Sequence, residues 1–490
     1  MRKTLLAAGL VVCPVLAAAQ SVPASLSLAD AIAIARDNNP AYRQTLATRR
    51  ASLWGARNAW ANLLIPTASL SGGVGYAGPG SQNFLSTSFS QPVSTSSSDY
   101  SLGLQWQLSG QTLTAPGQQH ANADAVDADI AGARAALVNN VTQQYLTALE
   151  ARDNAAVTEK QLESAEEGLK LAQAKYTVGS GTLLDVRQAQ VTRGQAEVAL
   201  LQAQTDVQVE KLKLFEQMGV AAPLDIKSVQ LSDSFAVSAP TWSLEDLLAM
   251  AQAQNPTLQA LESRATAAKW GVRASTASYG PSVSLSAGWS GFTQRYNNLD
   301  PILTSAAISA NESFLACNDN NTIRTNAGLS TQDCSVYSFG NGERQALINQ
   351  NNQYPFNFTR QPFQARLQIS IPLWTNFSQP LQVSQAKSNQ EQADEAARAQ
   401  SLSLRTQVSN GYLTVQTNYQ TIAIQDTNRS AAQDQLKLAT DRYRVGSGTF
   451  LDVVNAQVTA IKAETDYVTA VYNYHKARAA LEAAVGRPLH

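Results

Sequence analysis

Charged residues are scarce in this chain of 490 residues: Asp, Glu, Lys and Arg together make up 15% of it, where ordinary soluble domains carry roughly 25%. The formal net charge is -1, so no surface for nucleic acid is expected, because such a surface needs clustered Lys and Arg. Cysteine and histidine are equally rare, with three of each. These counts exclude a disulfide-dense scaffold and a cysteine-rich metal site.

Long hydrophobic runs are also missing from the interior of the chain, where none reaches the roughly 18 residues of a transmembrane helix. One shorter apolar run, residues 5–16, follows two basic residues and precedes three alanines. This pattern predicts a secretory signal peptide over residues 1–19, cut after Ala19. Cys13 is an alternative lipid acceptor, but its neighbours fit such a site poorly. We therefore expect an exported protein.

The chain repeats itself. LKLAQAKYTVGSGTLLDVRQAQVT, which begins at Leu169, returns as LKLATDRYRVGSGTFLDVVNAQVT at Leu436, and SLADAIAIARDNNP at Ser27 has a looser counterpart at Ser243. The spacing between copies grows from 216 to 267 residues, so the second copy contains an insertion of about 50 residues. The predicted organisation is a first repeat over 20–222, a linker over 223–242 and a second repeat over 243–490.

Each repeat contains two long segments with helical periodicity. They predict helix hairpins over about 118–218 and 379–486. A helix of some 60 residues is on the order of 90 Å long, so its apolar stripe needs equally long neighbours. A bundle or tube of helices is expected.

Four segments alternate instead with a period of two, at about 66–78, 99–109, 281–294 and 363–376. Leu102, Leu104, Trp106 and Leu108, for example, alternate with Ser, Gly and Gln. Outer-membrane barrel strands and soluble sandwiches both show this pattern. The predicted signal peptide and the aromatic residues near the strand ends favour membrane strands over a soluble sandwich. These aromatic residues are Tyr76, Trp106, Trp289, Phe292 and Phe377.

Four strands cannot close a barrel in lipid, where an open edge leaves backbone groups unsatisfied. Further copies must supply strands, and a polar inner face favours the twelve strands of a trimer over the eight of a dimer. The segment 295–362, rich in Asn, Ser and Gln, is expected to be a long polar loop outside the cell. It holds Cys317 and Cys334, which we expect to form a disulfide in an oxidising compartment.

The motif Tyr-x-x-Gly-x-x-x-x-Leu-Asp-Val occurs at 176–186 and again at 443–453. With the duplicated plan, it makes the mature chain resemble the TolC-type outer-membrane efflux proteins. The resemblance implies an α+β membrane protein: a trimeric channel-tunnel with a twelve-stranded outer-membrane β-barrel, four strands per chain, and a long periplasmic α-helical barrel.

Function and partners also follow from this resemblance. It implies a passive exit channel that works with a periplasmic adaptor and an inner-membrane pump, with drug efflux of the resistance-nodulation-division type expected first and type I protein secretion as the alternative. A coiled-coil stalk or adhesin is the alternative from another class. No enzyme activity or cofactor is expected, because His120, His475 and His490 have no metal-ligand spacing and no Gly-x-Ser-x-Gly elbow is present.

The resemblance also assigns residues to two sites. The helix tips that contact the adaptor are expected at Val178, Gly179, Ser180, Gly181, Thr182, Val445, Gly446, Ser447, Gly448 and Thr449. Gly179 and Gly446 also suit a simple helix end, and a P-loop is disfavoured because no Lys follows the glycines.

The periplasmic gate is expected at Asp185, Tyr443 and Asp452. The sequence departs from TolC at Gly448, where a gating Arg would stand, and at Asn455, where a second Asp would narrow the pore. Arg442 or Arg444 is expected to replace that Arg, leaving a single ring of Asp452. The alternative for both Asp185 and Asp452 is that they cap helix N-termini.

Overall fold

The computed structural model describes residues 25–84, 87–91 and 93–489. The predicted signal peptide, Cys13 and His490 lie outside these residues. The chain divides into two compact units. Unit 1 comprises the described part of Met1–Trp54 with His120–Ala268 and Asn389–His490, and unit 2 comprises Gly55–Gln119 and Lys269–Ser388.

In chain order the elements are β1 (Ser25–Leu26), α1 (Leu28–Asn38), α2 (Pro40–Leu64), β2 (Thr67–Ala77), β3 (Gly80–Phe84), β4 (Thr87–Gln91), β5 (Thr95–Leu108), α3 (Gly110–Thr177), α4 (Leu183–Met218), β6 (Gln230–Leu231), α5 (Leu244–Gln254), α6 (Pro256–Ala277), β7 (Ser282–Tyr296), α7 (Asp300–Asn326), α8 (Asn341–Asn351), β8 (Thr359–Arg360), β9 (Gln364–Ser370), α9 (Ser378–Arg444) and α10 (Phe450–Val485). Short 3-10 turns lie at Ile226–Ser228 and Cys334–Tyr337.

The short helices show how closely the two repeats correspond. Ser27 caps α1 and Ser243 caps α5, each through a side chain that accepts the amide of the residue three positions on. Each short helix is followed at once by a helix that begins with proline, which is favoured in a first helical turn because its missing N–H needs no partner there.

The four long helices of unit 1 are held side by side. The Gln144 amide donates to Glu210 at 2.7 Å and joins α3 to α4. Lys476 pairs with Glu150 at 2.7 Å and joins α10 to α3, while the Asn418 amide donates to the Asn473 carbonyl at 3.1 Å and joins α9 to α10. These contacts join α4 to α3, α3 to α10 and α10 to α9.

Two buried clusters anchor these helices. One gathers Leu26, Tyr145 and Phe215 from the first repeat, and the other gathers Leu247, Leu404 and Tyr474 from the second. Burying such side chains contributes roughly 1.5–3 kcal/mol each. Each repeat thus supplies most of one core, and Tyr472 of the second repeat also belongs to the first cluster.

Unit 2 contains an antiparallel sheet in the order β2, β5, β7, with β8 and β9 both paired along the far side of β7. The register aligns Leu70 with Leu102, Leu102 with Trp289, and Leu285 with Leu367. Because paired residues share a face, one face of the sheet is apolar. Its leucines and tryptophan are exposed, whereas the opposite face carries Ser, Gly and Gln.

The structure differs from the predicted strands in three places. β9 ends at Ser370 instead of about 376, because Pro372 has no N–H to donate to a ladder. β5 begins at Thr95, four residues before the predicted start. A hairpin of β3 and β4 lies between β2 and β5, and the sequence did not indicate it.

The expected polar loop over 295–362 is partly helical. It contains α7, of 27 residues, and α8, of 11 residues. Its richness in Asn hid the helical spacing of Leu303, Ala307 and Ala310, and Pro301 stands in the first turn of α7, where proline is favoured. The insertion is therefore an ordered substructure.

Candidate functional site at the helix tips

The first tip, residues 178–182, turns α3 into α4. Gly179 has φ of +76°, a left-handed conformation that glycine adopts without steric cost. The amides of Ser180 and Gly181 donate to the Lys175 carbonyl at 2.9 and 3.0 Å and satisfy the end of α3. The Thr182 hydroxyl accepts the Asp185 amide at 3.1 Å, and the Asp185 carboxylate accepts the Thr182 amide at 3.2 Å. Asp185 is therefore a helix cap.

The second tip, residues 445–449, has the same construction. Gly446 has φ of +84°, and the amides of Ser447 and Gly448 donate to the Arg442 carbonyl at 2.9 and 3.1 Å. The Asp452 carboxylate accepts from the Thr449 amide and hydroxyl at 2.9 and 2.8 Å. Asp452 is thus also a cap, so the capping alternative holds for both carboxylates.

The two hairpins meet through a buried cluster beside the tips. It contains Ala172, Val186, Tyr443, Phe450 and Val453. The Tyr443 and Phe450 rings make an edge-to-face contact, with centroids 5.4 Å apart. The cluster fixes Tyr443, the predicted gate tyrosine, between hairpins.

Lys175 crosses from the first hairpin to the second. Its ammonium donates to the Tyr443 carbonyl at 2.6 Å and lies 4.7 Å from the centroid of the Tyr443 ring. A cation at the C-terminal end of α9 also interacts favourably with the helix dipole, and the ring adds a cation–π attraction. Lys175 was not among the predicted gate residues.

The Tyr443 hydroxyl is buried and has no hydrogen-bond partner among the described residues. Burial raises the pKa of Tyr443, and the nearby Asp185 carboxylate raises it further. The hydroxyl therefore keeps its proton near neutral pH. The structure thus places Asp185 close to Tyr443.

The remaining gate residues are dispersed. Arg444 pairs with Asp441 on its own helix at 3.0 Å, and Asn455 is exposed. Arg442 is exposed as well. The pKa of Asp452 is lowered mainly by hydrogen bonds from the Thr449 backbone and hydroxyl, and the charge of Arg442 lowers it further. Among the described residues, neither guanidinium makes a hydrogen bond or ion pair to the first hairpin.

A sequence signal for Lys175 did exist. The internal repeat aligns it with Arg442, and both precede the motif tyrosine. Helical position alone could not show which of these two cations donates to a carbonyl of the other hairpin within the same chain.

Unit 2 holds the predicted cysteine pair. Cys317 of α7 is disulfide-bonded to Cys334 in the following 3-10 turn, with Cα atoms 5.7 Å apart. Among the residues that the structure describes, no cluster of His, Cys, Asp and Glu could hold a metal ion. Within the same residues, no helix has the length and apolar character needed to cross a membrane.

Comparison with known proteins gives consistent matches. The family model described as outer membrane efflux protein matches residues 31–220 and 247–487. The outer membrane efflux protein BepC of Brucella suis biovar 1 (strain 1330) is 24% identical over 335 residues, which cover 67% of this chain and 60% of that protein. The match thus spans less than two thirds of BepC.

Solved structures with the same fold cover more of the chain. The outer-membrane channel OprN is 16% identical with a TM-score of 0.69, covering 94% of this chain and 89% of its own. VceC of Vibrio cholerae is 18% identical with a TM-score of 0.68, covering 94% and 97%. The open state of the MtrE outer membrane channel of Neisseria gonorrhoeae is 18% identical with a TM-score of 0.63, covering 94% of this chain and 89% of its own.

Proposed function

Because the chain belongs to the outer membrane efflux protein family, we propose that it is the outer-membrane exit channel of a tripartite efflux system. It passively conducts substrates that an inner-membrane pump delivers through a periplasmic adaptor. Location in the outer membrane follows from the family. The observation that carries the proposal is the sheet of unit 2, whose apolar face is exposed and whose polar face suits a water-filled lumen.

A homotrimer is the assembly that suits this sheet. β2 and β9 each pair on one side only among the described residues, and lipid tolerates no open edge. Three copies bring twelve principal strands, enough to enclose a lumen. The partners are accordingly two further copies, outer-membrane lipid, an adaptor and a pump.

The adaptor docks at the tips, residues 178–182 and 445–449. Val178 and Val445 are both 78% exposed, so each turn offers one apolar side chain among small polar ones. Such an isolated apolar group beside exposed backbone suits a matching tip on another helical protein. A pump of the resistance-nodulation-division type, which exports drugs, is the proposed motor.

The gate consists of Lys175 and Tyr443, which link the two hairpins, and of Asp185, which lies near the Tyr443 hydroxyl, with Asp452 ringing the entrance. Asp452 keeps its negative charge because its pKa is lowered, first by the Thr449 backbone. Three such carboxylates attract cations. We expect Asp452→Ala to reduce the cation preference of the purified channel in planar lipid bilayers, with Asp434→Ala, on the exposed flank of α9, as the control. Unchanged selectivity would leave Asp452 with the capping role alone.

The decisive experiment on the channel itself combines two measurements on the purified full-length protein. Native mass spectrometry in detergent should give a trimer, and the same preparation should conduct ions across a planar bilayer. A structural stalk or adhesin would give no conductance. Copurification of an adaptor from the native host would then identify the tripartite system.

A further inference from the structure

The apolar face of the sheet in unit 2 carries charge at one end only. Alternate residues of β2, β5, β7 and β9 share this face, and all of them are uncharged except Arg295 of β7. Arg360 of β8 pairs with Gly291 of β7, so it lies on the same face. Among the described strands of this sheet, the two charged residues of the apolar face are therefore both arginines.

Contacts of the segment before β8 support this placement of Arg360. Phe358 directly precedes β8, and its ring makes an edge contact with the Tyr100 ring, with centroids 4.9 Å apart. A Cβ added at Gly291 would lie only 2.5 Å from the Tyr100 ring, so that ring covers Gly291 on the apolar face. Arg360 thus lies beside an aromatic cluster.

Exposed aromatic side chains lie along the same part of the face. The Trp289 and Phe363 rings have centroids 4.8 Å apart and are 47% and 52% exposed. Tyr76 is 71% exposed and lies in the same cross-strand row as Arg295, because both residues pair with Ser96. Aromatic rings favour the boundary between acyl chains and water. The two arginines therefore lie within an aromatic band.

The charges of Arg295 and Arg360 are not compensated within the part of the chain that the structure describes. Both side chains are exposed, and neither has a hydrogen bond or ion pair there. Arg295 follows Gly291, the partner of Arg360, by four residues, so about 13 Å of strand separates the two cations. The insertion continues from this end of the sheet, and in the proposed channel this end lies outside the cell.

We propose that Arg295 and Arg360 bind the phosphate groups of lipid headgroups in the outer leaflet of the outer membrane. A guanidinium presents paired N–H donors that match two phosphate oxygens. The Trp289 and Phe363 rings lie at the headgroup boundary, and the leucines of the face contact acyl chains. This inference deepens the proposed outer-membrane channel, on which it rests, by assigning the lipid group that its barrel recognises.

A phosphorylated lipid is the occupant because it matches both parts of the surface. Its phosphate complements the two cations, and its acyl chains complement the uncharged face that continues beside them. The face has no charged residue at its other end, near Leu108 and Val283, so this recognition is confined to one leaflet. An acidic segment of another protein would match the cations alone.

Native mass spectrometry of the purified full-length trimer in a neutral detergent tests the site, with diphosphorylated lipid A as the probe. Arg295→Gln with Arg360→Gln should weaken its binding about 25-fold, because each cation near a lipid surface contributes about five-fold. Each single variant should lose about five-fold. Arg366→Gln is the matched control: Arg366 is an exposed residue on the polar face of β9, where it pairs with Ser286, and its loss should leave lipid binding unchanged.

A second probe isolates the contribution of the phosphates. Lipid A from which both phosphates have been removed keeps the sugars and acyl chains. The native trimer should bind it about as weakly as the double variant binds the diphosphorylated form. Added salt should reduce the difference between the two lipids, since exposed charges are screened.

The outcomes that would overturn the proposal are distinguishable from failure of the proposed function. A conducting trimer whose double variant loses no more lipid binding than Arg366→Gln would refute the site and leave the channel standing. Equal binding of the two lipids by the native trimer would refute it as well, and would leave an acidic protein segment as the partner of the two cations. Absence of both trimer and conductance would refute the site together with the proposed function.

Discussion

Lys175 acts through a single ammonium group on two parts of the same residue, the carbonyl and the ring of Tyr443. Both contacts belong to the other hairpin. The side chain is half-buried, so solvent weakens the attraction without removing it. Among the tip residues, it makes the clearest polar link between the two repeats.

Lys175→Met keeps the length of the side chain and removes its charge. If Lys175 belongs to the gate as proposed, we expect the resting conductance of the channel in planar bilayers to rise about five-fold, which corresponds to losing roughly 1 kcal/mol of a charged hydrogen bond. Lys170→Met is the control, on the same helix and exposed. Equal conductance of the two variants would show that Lys175 does not hold the hairpins together.

His475 is a buried titratable residue of unit 1. Its Nε2 has no hydrogen-bond partner among the described residues, and the Phe235 and Tyr474 rings lie beside it, with centroids 5.6 and 5.2 Å away. Burial lowers the pKa of His475 to about 4, helped by the charge of Arg478 and opposed by the Phe235 backbone. The folded chain therefore holds this ring neutral.

The stability of unit 1 should consequently fall on acidification. Between pH 6.5 and 4 the unfolded chain binds a proton that the folded chain does not, so the free energy of unfolding decreases as pH falls, by up to about 3 kcal/mol. His475→Phe should raise the thermal midpoint near pH 4.5 relative to the native chain. The exposed residue change His120→Phe should not, and equal effects of the two variants would contradict this explanation.

Repetition was enough to predict the residues of each tip. Gly179, Gly446, Asp185 and Asp452 recur with fixed spacing, and such spacing determines a turn and a cap. Contacts between the two hairpins could not be predicted in this way, because they depend on which helices lie next to each other in the fold. Sequence could not show that Lys175 is satisfied within the chain.

Among the elements, the insertion of the second repeat departs furthest from its prediction. The sequence indicated a polar loop, and the structure has α7 and α8 there. A count of Asn and Ser measures composition, whereas a helix depends on the spacing of a few apolar residues. The same limitation affected β9, where alternation continued in the sequence past the proline that ends the strand.

The disulfide of the insertion closes a segment with a sequence separation of 17 residues. Such a link contributes roughly 3 kcal/mol in the chain-entropy model. We expect Cys317→Ser with Cys334→Ser to make the segment after α7 sensitive to protease added to intact cells, while trimer mass stays unchanged. Alkylation of both cysteines in untreated native cells would contradict the pairing.

For the whole molecule, the predicted fold class is confirmed. The family match and solved outer-membrane channels of the same fold support it, as does the resemblance to TolC-type proteins drawn from the motif. The duplication, the helical periodicity and the strand alternation were sufficient to predict the fold class. Each of these patterns marks an apolar surface that must pack against protein or lipid.

The apolar face of the sheet can be tested with two neighbours on β5. Leu104 lies on the apolar face and Gln105 on the polar face, as their pairing with Ala287 and Ser286 shows. Leu104→Lys should cost about 2–4 kcal/mol in lipid and reduce the amount of folded trimer in the outer membrane. Gln105→Lys should leave that amount unchanged. Equal losses would mean that the apolar face does not meet lipid.

The open edges at β2 and β9 have a genetic consequence. Each chain needs its neighbours to complete the sheet, so one damaged copy impairs the whole trimer that contains it. When a chain with a damaged β9 edge is produced in equal amount with the native chain, random mixing leaves only about one trimer in eight free of damaged copies. Damage at this edge is thus expected to be dominant, whereas loss of the whole chain would be recessive.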